Sequence, residues 1–350
     1  MNYRRLGNSG LMVSPLTFGT MTFGGKNFFA NVGSTQVDEA RELIARCREA
    51  GINLFDTADV YSMGASEQIL GEALGDASDE VLIATKAGLR AGDDPNDRGL
   101  SRKHVIQQCE RSLRNLRRDH IDLYQVHAWD GLTPLEETLG ALQYLVDQGM
   151  VRYVGCSNYS AWHLVKALGI AAREHLPPFV VTQNFYSPAF RDVEMELLPA
   201  VIDAGMGMLV WGPLAGGLTS GKYRRDQQPA DGRHLTDWDE PPVDDANRLW
   251  ETVDALVAVG EEHGCSAARV SLAWLMARPG VTSVIFGARD HDQLADNLAA
   301  TELELTERQI DRIERASRPL LPYPIWHQRK TAAARLSDAD KVLPLEPKTT

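Results

Sequence analysis

A chain of 350 residues with 43% hydrophobic and 24% charged residues has the balance of a water-soluble globular protein and the length for one large domain. A formal charge of −12 argues against nucleic acid or an anionic membrane surface as a partner. No run approaches the roughly 20 apolar residues that span a bilayer. The opening Met-Asn-Tyr-Arg-Arg-Leu-Gly lacks the apolar stretch of a signal peptide, so a cytoplasmic location is expected. Cys47, Cys109, Cys156 and Cys265 are scattered without a Cys-x-x-Cys pair, and neither a disulfide framework nor a metal site is expected.

Residues 4–6 and 11–13 flank Gly7-Asn8-Ser9-Gly10, the pattern of a short β-hairpin suited to plugging the bottom of a barrel. Strand patterns follow at 16–19, 53–56, 81–86, 121–127, 151–156, 179–183, 207–211 and 281–286. Helical patterns lie between them near 36–50, 66–75, 101–117, 134–148, 160–173, 193–204, 246–263 and 290–299. Gly51 and Gly149 read as helix ends, and Thr133-Pro134 with Glu136 and Glu137 as a capped helix start. Eight strands alternating with helices predict an α/β fold, a parallel sheet closed into a (β/α)8 TIM barrel. Two segments break the rhythm: a long loop at 215–245 after the seventh strand, and a proline-bearing tail from Arg318, expected to drape over the barrel and end disordered. The expected organisation is one domain over 1–350, with a core at about 15–317 and a tail at 318–350.

Asp56, Lys86 and His127 each close a short apolar run, and Tyr61 follows Asp56 by one loop. In a parallel barrel the carboxyl ends of all strands open on one face, so these side chains converge there. A tyrosine that gives up a proton near neutrality needs its pKa brought down from about 10. An ammonium such as Lys86 does this, a carboxylate such as Asp56 keeps the ammonium charged, and His127 can orient a carbonyl oxygen. Singly, each residue has an ordinary structural explanation as a cap or a packed side chain. Their joint placement points to proton transfer.

The segments 51–62 (Gly-Ile-Asn-Leu-Phe-Asp-Thr-Ala-Asp-Val-Tyr-Ser) with Ser66-Glu67, Ile-Ala-Thr-Lys at 83–86, Ile-Asp-Leu-Tyr-Gln-Val-His at 121–127 and Val-Arg-Tyr-Val-Gly-Cys-Ser-Asn-Tyr at 151–159 closely resemble the aldo-keto reductase superfamily. The opening Tyr-Arg-Arg-Leu-Gly-Asn-Ser-Gly, with Phe-Gly-Thr-Met-Thr-Phe-Gly, resembles its bacterial branch, and the resemblance runs from about residue 3 to 325. It implies a catalytic tetrad of Asp56, Tyr61, Lys86 and His127. Hydride would pass from a reduced nicotinamide to a carbonyl carbon while Tyr61 protonates the oxygen, and the reverse reaction would oxidise an alcohol.

No strand is followed by Gly-x-Gly-x-x-Gly, so a conventional dinucleotide fold is unsupported. Gly216 to Lys222 has the spacing of a nucleotide-triphosphate loop, yet Tyr223 replaces the magnesium-binding Ser or Thr and no helical pattern follows. The resemblance instead implies that this segment, with Gly212, Pro213, Leu214, Gly216, Gly217 and Lys222, wraps the cofactor pyrophosphate. It places Gly19 and Thr20 against the cofactor, Ser157, Asn158 and Gln183 on the nicotinamide carboxamide, and Trp211 stacked on the ring. Gly287, Arg289, Gln293 and Asn297 resemble the adenosine-phosphate site. The helix starting near Asp290 would offer its positive end to phosphate, and Arg289 would clamp a 2′-phosphate, favouring NADP(H). Trp211-Gly212 departs from the family's common aromatic-Ser pair.

Phe23, Phe28 and Trp129, with Phe29, Trp238, Tyr323 and Trp326 further out, suggest an apolar collar for a small carbonyl or alcohol substrate. Oligomeric state, including a homo-oligomer, is open. Two other readings stand beside a reductase. One is a nicotinamide-binding regulatory or sensor subunit, because barrels of this family also serve beside ion channels. The other is a barrel hydrolase, which lacks the paired carboxylates or metal ligands it would need.

Overall fold

The computed structural model describes residues 1–342 except Asp231 and Asp237, and the side chains of Asn27 and Phe28 also lie outside the description. Segments such as Ile121–Val126 and Val281–Phe286 are buried at every residue, as expected of strands covered on both faces. They belong to eight parallel strands that close on themselves: β3 (Leu16–Gly19), β4 (Leu54–Asp56), β5 (Leu82–Ala87), β6 (Ile121–Val126), β7 (Val151–Ser157), β8 (Val181–Phe185), β9 (Gly207–Trp211) and β10 (Val281–Phe286), the last pairing with β3. Ahead of them, β1 (Arg4–Arg5) and β2 (Met12–Val13) form an antiparallel hairpin.

That hairpin closes the base of the barrel. Leu6 and Val13 pack inside with Leu54, Ala84, Leu123, Val181, Leu209 and Ile285, one small interior cluster drawn from alternate strand positions. Gly7 has φ +57°, and a Cβ there would lie 2.5 Å from the Gly207 amide nitrogen and 2.7 Å from the Val180 carbonyl oxygen. Only glycine lets the turn approach the amino-terminal ends of β8 and β9 so closely.

A larger apolar layer joins the barrel to its helices. These are α1 (Val37–Glu49), α2 (Ala65–Leu74), α3 (Arg102–Leu116), α4 (Leu135–Asp147), α5 (Ala161–Glu174), α6 (Leu197–Asp203), α7 (Ala246–His263), α8 (Ala267–Met276), α9 (His291–Leu298), α10 (Glu307–Ala316) and α11 (Ile325–Thr331). Gly51 (φ +90°) and Gly149 (φ +70°) do follow the ends of α1 and α4.

Several expectations shift. Strand β8 begins two residues later than 179, because Val181 to Phe185 find register with β9 while Phe179 turns into the core beside Tyr159. The helix expected over 193–204 splits into a 3-10 turn (Asp192–Glu194) and α6. Thr133 is not the cap of α4; its hydroxyl donates to Asp130, and Pro134 holds the cap position. Helix α8 has no counterpart in the sequence reading, because nearly every residue of it is buried and no polar face marks its period. After Arg318 the tail forms α11 and two 3-10 turns, and Val342 packs into the core. The expected disorder falls on 343–350, outside the described residues.

Candidate active site

The ends of β4 and β5 place Asp56 beside Lys86. Lys86 is completely buried, and its Nζ donates to Asp56 Oδ2 (2.5 Å) and to the Thr57 carbonyl (2.7 Å), with Tyr61 Oη 3.4 Å away. A buried ammonium survives only when paired and hydrogen-bonded. Burial alone favours losing the proton, but Asp56 and Tyr61 outweigh it, and the Lys86 pKa lies above the usual lysine value. Asp56 is braced from its other oxygen by Gln183 Nε2 (2.8 Å) and Gln125 Nε2 (3.5 Å). Gln125, pointing inward from β6, is a partner the sequence reading did not pick out.

Tyr61 opens a 3-10 turn, Tyr61–Gly64, between β4 and α2. Burial pushes its hydroxyl above the usual tyrosine range, Lys86 pulls it back down, and Asp56 pushes it up. The expected net lowering is therefore not found, since loss of solvent outweighs the cation. The His127 ring meets Tyr61 edge-on, with centroids 6.0 Å apart. Its burial and the nearby Lys86 charge push its pKa down to about 3, so the imidazole is neutral. Aspartate, tyrosine, lysine and histidine thus meet at one end of the barrel.

Across the mouth, the ends of β7, β8 and β9 build a linked polar strip. Trp211 Nε1 donates to Asn158 Oδ1 (3.0 Å), and Asn158 Nδ2 donates to the His127 carbonyl (3.0 Å). Ser157 Oγ and the Asn158 amide both donate to the Gln183 carbonyl. The Trp211 ring leans on Phe185 at 5.0 Å, and a Cβ on Gly212 would strike that same phenyl ring at 2.7 Å. Gly19 ends β3 against Ile285. Thr20 is fully buried, its hydroxyl held by the Asp56 carbonyl and Ser66.

After Trp211, Pro213 and Leu214 lead into a 3-10 turn, Ala215–Ser220, in which Gly216 (φ +66°) and Gly217 (φ +102°) take left-handed conformations. The turn is closed on itself: the Ala215 amide donates to the Gly212 carbonyl, and the Gly217 and Thr219 amides donate to the Leu214 carbonyl. His234 caps the turn, its Nε2 lying 3.0 Å from the Ala215 carbonyl, and the Lys222 ammonium sits over the Tyr223 ring. Beyond β10, Gly287 leads to α9. Asp290 caps that helix by accepting from the Gln293 amide (2.8 Å), so a carboxylate already occupies the helix start that was expected to face phosphate. Gln293 accepts from the Arg289 amide, and Asn297 Nδ2 donates to the Gly287 carbonyl.

Two guanidiniums share this end of the cleft. Among the described residues exposed Arg289 has no carboxylate partner, and Arg233 from the long loop lies near enough to be repelled by it. Burial and then Arg289 push the Arg233 pKa below the usual arginine value. Arg233 packs over Trp238 at 4.7 Å. Arg233 was not picked out from the sequence, because it sits in a loop without periodicity.

The collar is arranged differently from expectation. Phe23 does not reach the mouth; it is wholly buried against Phe18. Phe29 is the ring beside Tyr61, at 5.5 Å. The Phe28 side chain lies outside the described residues. Trp129 stacks on His163 at 3.8 Å and meets Tyr159 and Trp162 edge-on, forming a packed aromatic group over the start of α5. Tyr323 and Trp326 pack on each other in the tail. Among the described residues no set of three His, Cys, Asp or Glu is placed to hold a metal, and no helix is long and apolar enough to cross a membrane.

A closed parallel barrel with a Lys–Asp pair, a phenol and a neutral imidazole at its carboxyl mouth defines a class of nicotinamide oxidoreductase. The Aldo/keto reductase family model matches residues 15–318, and the chain belongs to that family. Over 326 residues it is 37% identical to a probable voltage-gated potassium channel subunit beta of Oryza sativa subsp. japonica, covering 90% of this chain and 96% of that protein. The Arabidopsis thaliana protein of the same description is 37% identical over 336 residues, 92% and 99% of the two chains. The uncharacterized oxidoreductase YrpG of Bacillus subtilis is 37% identical over 317 residues, 87% and 92%. The activity is that of its family, NADP(H)-dependent transfer of hydride between nicotinamide and a carbonyl or alcohol.

Proposed function

We propose that the protein reduces small apolar aldehydes or ketones with NADPH, Tyr61 giving the proton. The supporting observation is the buried Lys86, held between Asp56 and the Tyr61 hydroxyl. Bound nicotinamide supplies the hydride. A carbonyl oxygen bound between the Tyr61 O–H and the neutral His127 ring would meet both donors as it becomes negative. Tyr61 passes its proton to that oxygen, and the Lys86 charge stabilises the phenolate left behind. Solvent then restores the proton, and alcohol oxidation runs through the same atoms in reverse.

The residues at the mouth fit the cofactor. The Ser157–Asn158–Gln183 strip carries amide and hydroxyl groups suited to a carboxamide, with Trp211 offering a ring face. Arg233 and Arg289, two neighbouring guanidiniums with no carboxylate partner among the described residues, suit a phosphate beside the Gly216–Gly217 turn. This supports NADPH over NADH. Replacing Tyr61 by Phe should abolish carbonyl-dependent NADPH oxidation while leaving NADPH quenching of tryptophan fluorescence within about twofold of wild type. Turnover surviving in Tyr61→Phe would remove Tyr61 as donor.

A second reading is favoured by the two plant relatives, each described as a probable voltage-gated potassium channel subunit beta. On that reading the barrel binds NADP(H) as a subunit of a larger assembly. It predicts tight NADPH binding with no turnover across a panel of aldehydes and ketones, whereas the reductase reading predicts turnover.

A further inference from the structure

Three successive residues follow Tyr61 in left-handed backbone: Ser62 (φ 50°, ψ 38°), Met63 (φ 60°, ψ 33°) and Gly64 (φ 91°, ψ −5°). Glycine takes that conformation freely, but serine and methionine crowd Cβ against the backbone there. Such strain persists only where surroundings over-determine it, and it tends to gather at functional sites. Here it lies directly after the phenol assigned to proton transfer.

Two groups hold the turn. On one side Ser62 Oγ donates to the Phe23 carbonyl at 2.8 Å. On the other, Arg111 reaches from the outer face of α3, and its Nη2 donates to the Met63 carbonyl at 3.1 Å. A Cβ placed on Gly64 would lie 3.1 Å from that same Nη2 and 3.2 Å from Asn115 Nδ2, so the guanidinium and the amide form the wall on which the turn rests. Two buried carboxyls lie behind the turn, within the field of Arg111. Asp59, two residues before Tyr61, is buried; loss of solvent and then the neighbouring Glu67 push its carboxyl well above the usual range, and Arg111 is close enough to pull it back down. Glu67 of α2, also within the field of Arg111, is tied by hydrogen bonds to Thr85, next to Lys86, and to Asn115.

We propose that Arg111 is a positioning residue for Tyr61: it clamps the strained Ser62–Met63–Gly64 turn and so fixes the phenol against Lys86 and His127. It touches neither substrate nor cofactor; it acts by removing the conformations in which the turn relaxes and Tyr61 swings away from Lys86. The effect belongs in kcat rather than in cofactor binding, because the strip that would meet nicotinamide stands on β7, β8 and β9. The consequence for turnover rests on the reductase reading, while the clamp itself does not.

The test is Arg111→Met in the full-length protein, with hydrogen exchange of the 60–66 segment, NADPH affinity by tryptophan quenching, and kcat for a carbonyl that wild type reduces. We expect faster exchange confined to that segment, an NADPH Kd within about twofold, and a kcat about tenfold lower, since small misplacements of a reacting group cost rates of that order. Adding Met63→Gly to Arg111→Met should recover part of the kcat, because glycine holds the left-handed turn without a clamp. Unchanged exchange in 60–66 overturns the clamp whether or not the protein turns over. Faster exchange with unchanged kcat overturns its role in placing Tyr61. A kcat loss accompanied by a weaker Kd, a lower Tm and no rescue by Met63→Gly would mark general destabilisation and overturn it as well. A wild type inactive on every carbonyl would instead defeat the reductase reading, leaving the exchange measurement to decide the clamp.

Discussion

His127 carries a pH signature that follows from its burial. Its pKa in the folded chain is pushed down to about 3, against a usual value of about 6.5 in an unfolded chain. Between those values the unfolded chain binds more protons than the folded one. Stability therefore rises with pH through this window and is lost as pH falls below about 6.5. His127→Asn should remove this term, so that between about pH 6.5 and 4.5 the variant loses roughly 2 kcal/mol less unfolding free energy than wild type. Parallel denaturation curves for the two proteins across that range would count against a neutral buried imidazole. The arginines form a second test at this scale. Arg289→Ala and Arg233→Ala should each raise the NADPH Kd about 10- to 100-fold, with NADH changed far less, as expected from losing a charge-assisted hydrogen bond. Equal loss for both cofactors would mean that neither arginine reads the 2′-phosphate. Asp56, Tyr61, Lys86 and His127 were legible because each sits in a short motif at a strand end. Arg233 was not, since its meeting with Arg289 depends on how a long loop folds back.

Elements with a clear alternation of apolar and polar residues were legible in the sequence. Helix α3, with Val105, Cys109, Ser112 and Leu116 inward and Arg102 and Arg114 outward, is one example. Helix α8 was hidden by its own burial, and β8 slid by two residues because the register with β9 is a tertiary choice. The local structure of the tail was hidden for a related reason: prolines mask the short helix α11, and a distant contact holds the described part at Val342. Arg278 of the loop after α8, ion-paired with Glu314 of α10 and lying 4.8 Å from the Trp274 ring, donates to the Val342 carbonyl at 3.2 Å. A chain ending at Arg318 would lose the buried Val342 side chain and leave that guanidinium without one of its acceptors. Together these cost about 3 kcal/mol. Calorimetry should show Tm lower by roughly 5 °C in the truncated protein. An unchanged Tm would show that the tail only lies against the barrel.

At the scale of the molecule, the barrel's two ends do different work. The mouth gathers strained turns, two neighbouring guanidiniums and buried charge, while the base is filled by the β1–β2 hairpin and aliphatic side chains. The eightfold alternation and the hairpin were both legible in the sequence, because they rest on local periodicity and a glycine turn. The depth of the hairpin was not, since it depends on Gly7 meeting Gly207 across 200 residues of chain. The hairpin also fixes the direction in which the amino terminus leaves: Tyr3 bonds the Gly51 carbonyl beyond the far end of α1, on the side away from the mouth. The strands hold that exit roughly 20 Å from the reacting groups. A bead, electrode or fused reporter coupled at Met1 would thus present the open cleft to the surrounding liquid. Enzyme immobilised that way should keep its substrate KM within about twofold of the free form, and a large rise in KM would place the tether at the mouth.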